Sequence, residues 1–171
     1  MLFQRGGIYE KRNGTHRRRP GGDAGRRQAR GWFGGLAVIK LAGKDTAGQF
    51  SLLEMLYPPN YEVPLHVHHR EEAVYYVLEG EMTVHIGSDT SIGGPGSVID
   101  IPNDTPHRFT VTSPGPVKYL LRLSPAGFES FIIRASEPAR SLTLPPPLDV
   151  LPDFEKLNAI MAEEYGTESL V

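Results

Sequence analysis

The 171 residues contain no cysteine, which removes disulfides, thiolate nucleophiles and Cys-bound zinc from consideration. Any metal must therefore sit on histidine, carboxylate or water. Also missing is any run of the roughly 18 uninterrupted apolar residues that a membrane-spanning helix needs, and the N-terminus lacks the apolar core of a signal peptide. A cytoplasmic protein without membrane contact is expected. The length is too short for two independent enzyme domains. Apolar residues and periodicity are scarce in residues 1–30, which instead hold nine Arg or Lys against two acids. That stretch carries +7 and the remainder -9, within a net charge of -2. A segment with so little to bury does not repay its own ordering entropy, so residues 1–31 are expected to be a basic disordered tail. Its Arg and Gly spacing offers non-specific attraction to phosphate at best, and no specific nucleic-acid partner is expected.

What is present is an excess of turn formers, 19 Gly and 15 Pro, more than an all-helical protein carries. From Trp32 onward short apolar runs of β type follow one another: Leu36 to Leu41, Phe50 to Tyr57, Ala73 to Leu78, Met82 to Ile86, Val98 to Ile101, Phe109 to Val111 and Val117 to Leu123. Each is closed by turn chemistry such as Pro58-Pro59-Asn60, Glu79-Gly80 or Gly93-Gly94-Pro95-Gly96, the spacing of an antiparallel sandwich or barrel. Met82, Val84 and Ile86 alternate with Thr83 and His85, as a half-buried strand would. Helix is predicted only late, over Gly127 to Ala135 and over 152–165, the latter with Phe154, Leu157, Ile160 and Met161 on one face and Gly166 as its stop. The three prolines between Leu142 and Asp149 predict an extended strap.

Six histidines remain. His66 and His68 stand two apart in Pro64-Leu65-His66-Val67-His68-His69-Arg70-Glu71-Glu72, and in an extended strand such residues share a face about 7 Å apart. Both imidazoles can then reach one metal ion. A third ligand is offered by His107, aimed by the turn Pro102-Asn103-Asp104-Thr105-Pro106. His69 falls out of phase with this pair and His85 lies on the polar face of its strand; both read as surface groups. Glu71 and Glu72 beside Arg70 read as solvated acids unless one is recruited as a ligand.

These two segments resemble the paired signatures of the cupin superfamily, small jelly-roll barrels that hold a metal between their sheets. In the first signature His66, His68 and Gly80 match, with Asn60 where the leading Gly belongs; in the second Gly96, Pro102 and His107 match, with Asp104 replacing Gly and Val111 replacing Asn. Asn and Asp tolerate the left-handed backbone that a Gly would supply. The stretch from Trp32 to Gly166 is similar to the quercetinase-like branch of single-domain cupins, through Tyr76-Val77-Leu78-Glu79-Gly80-Glu81 and Ser124-Pro125-Ala126-Gly127-Phe128-Glu129 among others. The resemblance implies an all-β cupin barrel (a double-stranded β-helix) over residues 32–171, closed by a C-terminal helix.

It also implies a divalent transition metal (Fe, Mn, Ni, Co, Cu or Zn) on His66, His68 and His107. The family's carboxylate ligand falls on Ala73 when counted back from Gly80, whereas Glu72 fits the shorter count from His68. A one-residue slip turns a strand side chain to the opposite face unless a bulge absorbs it. Glu72 is thus the candidate catalytic carboxylate, and the competing expectation is a three-His site completed by water. Tyr75, two residues past Ala73, should share its inward face and line a substrate pocket; Phe109, Leu121, Phe128 and Phe131 read as core or pocket wall. The activity implied is dioxygenation of a small enolic or aromatic substrate. Loss of the carboxylate leaves open a non-catalytic cupin that binds a small molecule as sensor or storage module. A homodimer is the default expectation for so small a barrel.

Overall fold

The computed structural model describes residues 9–12, 15–18, 29–146 and 152–170. Two short strands, Tyr9–Arg12 (β1) and Thr15–Arg18 (β2), pair antiparallel with each other. The barrel itself begins at Ala29–Trp32 (β3), earlier than the expected boundary at Trp32. The reason is packing: Ala29 is fully buried against Leu36 and Val38, which a polar tail does not achieve. A two-residue loop, Phe33 and Gly34, both with positive φ (45° and 84°), turns β3 into Gly35–Leu41 (β4). This is the backbone twist that tight hairpins favour. The rest of the expected tail, and the strap beyond residue 146, lie outside the described residues.

Ten further strands complete the barrel: Ser51–Tyr57 (β5), Glu62–His68 (β6), Glu72–Glu79 (β7), Met82–Ile86 (β8), Asp89–Gly93 (β9), Val98–Ile101 (β10), His107–Val111 (β11), Val117–Ser124 (β12), Glu137–Pro138 (β13) and Thr167–Ser169 (β14). One sheet has the order β10-β7-β12-β5-β4-β3-β13 and the other β14-β6-β11-β8-β9, with antiparallel pairing throughout. This is the jelly-roll barrel expected from the sequence. Strict alternation sends every second residue of β5 and β12 inward. Leu53, Met55, Val77, Met82, Val84, Phe109, Val111 and Leu123 consequently form the core between the sheets.

The turns obey the same local rules. Asn60 and Asp104, which stand at the two glycine positions of the signatures, have φ of 61° and 57°, the left-handed region in which Asn and Asp are the mildest replacements for Gly. Gly80 has φ 76°, and a Cβ there would lie 2.4 Å from the Pro116 carbonyl oxygen, so both conformation and space exclude a side chain. Two helices close the open end. Phe128–Arg134 (α1) follows β12. Phe154–Ile160 (α2), capped by the Asp153 carboxylate accepting from Lys156 N, continues as a π-helical turn over Met161–Tyr165. Gly166 ends it at φ 68°. Leu157, Ile160 and Met161 pack on the core, whereas Phe154 stays 46% exposed, so the expected apolar face is only half covered. Among the described residues no helix is long and apolar enough to cross a membrane.

Candidate metal centre

Strands β6 and β11 bring the histidines together. His107 pairs directly opposite His66, and the register then slips so that Phe109 faces Val63. The extra residue lies on the β6 side, at Pro64-Leu65. Proline has no N–H to give to a ladder and belongs at such a bulge. The bulge also turns the Pro64 carbonyl back toward its own strand, where it accepts from His66 Nδ1 at 2.8 Å.

The same device recurs at the other two rings. His107 Nδ1 donates to the Thr105 carbonyl at 2.9 Å, and His68 Nδ1 donates to Glu71 Oε1 at 2.9 Å, with Thr167 Oγ1 3.2 Å away. Carbonyl and carboxylate oxygens only accept, so each Nδ1 carries the proton and each Nε2 keeps its lone pair. One ligand atom from each of the three histidines falls within 4.8 Å of the others. His107 Nε2 is buried without a hydrogen-bond partner, a costly arrangement unless something binds that lone pair. Burial, followed by the neighbouring His107 and His68, lowers His66 to a pKa of about 3. Burial likewise lowers His107 to about 4. Both rings are therefore neutral at physiological pH, as ligation requires. Three converged imidazoles with fixed tautomers fit a divalent transition metal.

The carboxylates are not where the sequence expected them. Glu72 lies on the outer face with a side chain 53% exposed, 3.6 Å from Arg122. Alternation along β7 is unbroken there: the slip in the β7–β12 pairing falls between Lys118 and Tyr119, far from Ala73, which pairs with Leu123. No bulge swings Glu72 inward, and the catalytic role expected of it is corrected on that ground. Ala73 occupies the inward position, 2% exposed. Glu71, read from sequence as a solvated acid, is instead buried and bound to His68. Its one legible signal was the three-residue step from His68. His69 is exposed, held by Asp104 and Glu168, and His85 meets Thr90; neither joins the centre.

A cavity of about 600 Å³ adjoins the triad at His66 and His68, within the usual range for small-molecule sites. His66, His68, Ala73 and Tyr75 line it, together with Phe109, Leu121 and Phe128. Phe131 belongs to the core instead, edge-on to Trp32 at 5.7 Å between centroids. At the mouth the Phe33 ring lies tilted between Trp32 and Phe154, with centroids 4.2 and 5.5 Å away, and its carbonyl accepts from the Tyr61 hydroxyl at 2.6 Å.

Fold and triad together define a jelly-roll barrel with a three-imidazole centre at one end. Residues 53–122, which include all three histidines, match the family described as Cupin domain, and this stretch of the chain is similar to that family. Over 70 residues it is 33% identical to the uncharacterized protein MJ1618 of Methanocaldococcus jannaschii, covering 41% of this chain and 56% of that protein. Over 100 residues it is 29% identical to quercetin 2,3-dioxygenase of Bacillus subtilis, covering 58% of this chain and 29% of that protein. The chain thus matches less than two thirds of the length of either relative. Among solved structures it is similar to KdgF from Halomonas sp. (TM-score 0.51, 18% identity, 57% of this chain and 85% of that one). It is also similar to oxalate decarboxylase from Bacillus subtilis (TM-score 0.51, 21% identity, 57% of this chain and 27% of that one). At these identities the structural likeness speaks to the fold alone.

Proposed function

We propose that this cupin is a cytoplasmic, metal-dependent dioxygenase of the quercetinase-like type, acting on a small enolic or aromatic substrate in the central cavity. The observation that carries the reading is that three imidazoles with free Nε2 atoms converge beside a cavity, which His66 and His68 line and whose remaining walls are mainly aromatic and apolar. The partial match to a quercetin 2,3-dioxygenase supports the same direction. His66, His68 and His107 would hold the metal (Fe, Mn, Ni, Co, Cu or Zn), which when bound supplies Lewis acidity toward a substrate hydroxyl and a place for oxygen chemistry. Pro64, Thr105 and Glu71 fix the rings through Nδ1. Aromatic walls hold the substrate plane and exclude water. With Ala73 in the inward position the family's carboxylate is not there to act as base, so the substrate must bring a hydroxyl already acidic at neutral pH.

That same alanine favours a second reading, a non-catalytic cupin that binds a small molecule as sensor or storage module. Elemental analysis of protein purified without added metal comes first. Oxygen consumption after metal reconstitution then follows, with flavonols, β-diketones and thiols as candidate substrates. Metal-dependent uptake that is lost in His107→Ala supports the dioxygenase. Ligand binding with no uptake under any metal supports the second reading. Homodimerisation is part of the proposal, supported by the exposed neighbours Tyr76 and Val98 at the β10 edge; a monomeric mass in solution would dismiss it.

A further inference from the structure

Beyond the histidines, the cavity wall carries hydroxyls that packing does not require. Tyr57, Tyr75 and Tyr119 surround Phe109, with ring centroids 5.8, 6.0 and 5.8 Å from it. All three line the cavity and are no more than 4% exposed. A phenylalanine at each position would fill the same space. A buried phenolic O–H normally finds a partner, because leaving it bare forfeits its hydration.

Among the described residues nothing hydrogen-bonds the hydroxyls of Tyr75 and Tyr119. Nor are those oxygens among the sealed, unpartnered polar atoms of the interior, which are Arg30 Nε, Ser51 Oγ and His107 Nε2. They therefore open onto the cavity. The two rings lie 4.9 Å apart and belong to neighbouring strands, Tyr119 pairing with Val77 and Tyr75 with Leu121. Burial raises both above the ordinary tyrosine range, Tyr119 further by its tyrosine neighbours, so each remains a neutral donor at physiological pH.

Their place relative to the triad follows from the strand. Phe109 is the next inward residue after His107 on β11, about 7 Å further along at the usual strand rise. A ligand bridging the triad and the rings around Phe109 has about that length to cover, which suits a molecule of more than one ring.

We propose that the Tyr75 and Tyr119 hydroxyls form a second polar subsite of the cavity, selecting flat aromatic ligands of at least two rings that carry a hydroxyl or carbonyl oxygen at the end remote from the three histidines. The proposal rests on the cavity being the ligand site, as argued above, but not on the reaction or the metal.

Trp32 is the single tryptophan and lines the cavity, so its fluorescence reports binding. The probes are kaempferol and galangin, flavonols that differ by one hydroxyl on the outer ring. Each is titrated into the full-length protein in EDTA and again after loading with one metal. The parent should bind kaempferol roughly 5–10-fold more tightly than galangin, as one added hydrogen bond allows. In Tyr75→Phe/Tyr119→Phe that ratio should fall to about one through weaker kaempferol binding, with galangin held within about twofold. The single variants should each lose part of the preference and serve where the double variant melts early.

A ratio unchanged by both substitutions overturns the proposal, as does a parent that does not distinguish the two flavonols or binds neither. Failure of the dioxygenase reading shows elsewhere. The tyrosine-dependent ratio would then persist in EDTA while oxygen uptake and metal content remain nil.

Discussion

Removal of the Glu71 carboxylate is the sharpest perturbation of the centre, because it leaves all three ligands in place. Its side chain is 5% exposed and takes the Nδ1 proton of His68 at 2.9 Å, while the second contact of that nitrogen, Thr167 Oγ1, is longer at 3.2 Å. Partners that orient a ligating histidine are worth about 10–100-fold in metal affinity, which is roughly 1.4–2.7 kcal/mol. Glu71→Gln keeps an acceptor oxygen and loses only the charge, so the expected loss is near the lower end, ~10-fold. Glu71→Ala removes the acceptor and leaves Thr167 alone, so ~100-fold is expected. The assay is competition for Co(II) against a chromophoric chelator at pH 7.5, with thermal melting of the metal-free proteins as a control for folding. Affinities within twofold of the parent in both variants, at unchanged melting temperature, would refute the argument and reduce Glu71 to a space-filling residue.

Ala73→Glu should place a carboxylate on the cavity wall shared with His66 and His68; metal affinity should rise ~10-fold or more while the metal-free protein loses stability from a buried charge. Glu72→Gln should leave the same titration unchanged, and a fall would mean that Glu72 reaches the metal after all. His66 near 3 and His107 near 4 lie below the ~6.5 of the unfolded chain, so as pH falls through that window the unfolded chain takes up protons that the folded one refuses. Urea midpoints of the metal-free protein should therefore drop from pH 7 to pH 4.5, the unfolding free energy falling by at most ~1.4 kcal/mol per pH unit for each ring; exposed His69, held above its ordinary value chiefly by Asp104, opposes this in part. A midpoint that is flat or rises on acidification contradicts the assignment. Gly80→Ala combines a left-handed residue with a contact at 2.4 Å and should cost about 3 kcal/mol or more, a fall of roughly 10 °C in Tm; a melt within 2 °C of the parent would show that the turn rearranges freely.

The seven apolar runs were legible because each buries apolar side chains in the interior, and each is a strand of the barrel. Strands without that pattern were not. Asp89–Gly93 is exposed except at Gly93, its lone large apolar residue Ile92 included, and Thr167–Ser169 exists only by pairing with β6; neither carries an apolar periodicity to read. Ala29–Trp32 hid behind Arg30 and Gly31. At the site, the two-residue spacing and the proline-framed turn sufficed to bring His66, His68 and His107 into one group. Glu71 was missed for the opposite reason. A run of Arg-Glu-Glu looks solvated residue by residue, and only the bend between β6 and β7 returns the first acid to His68. The tyrosine hydroxyls were equally hidden, since periodicity tells which ring points inward and not whether its oxygen finds a partner.

The short strand β14 ties the centre to its own cover. Thr167 lies against His68, one residue after the glycine that ends the helix whose Met161, Asn158 and Phe154 line the cavity mouth. Arg70 fastens that helix end through the carbonyls of Glu163 and Glu164, and Arg134 adds an ion pair to Glu164. Local opening of this segment would uncover the cavity and loosen a contact of a ligating ring in one event. Ligand entry and metal retention then become coupled properties of a single unfolding unit. Occupancy of the centre should slow amide exchange in β14 and α2.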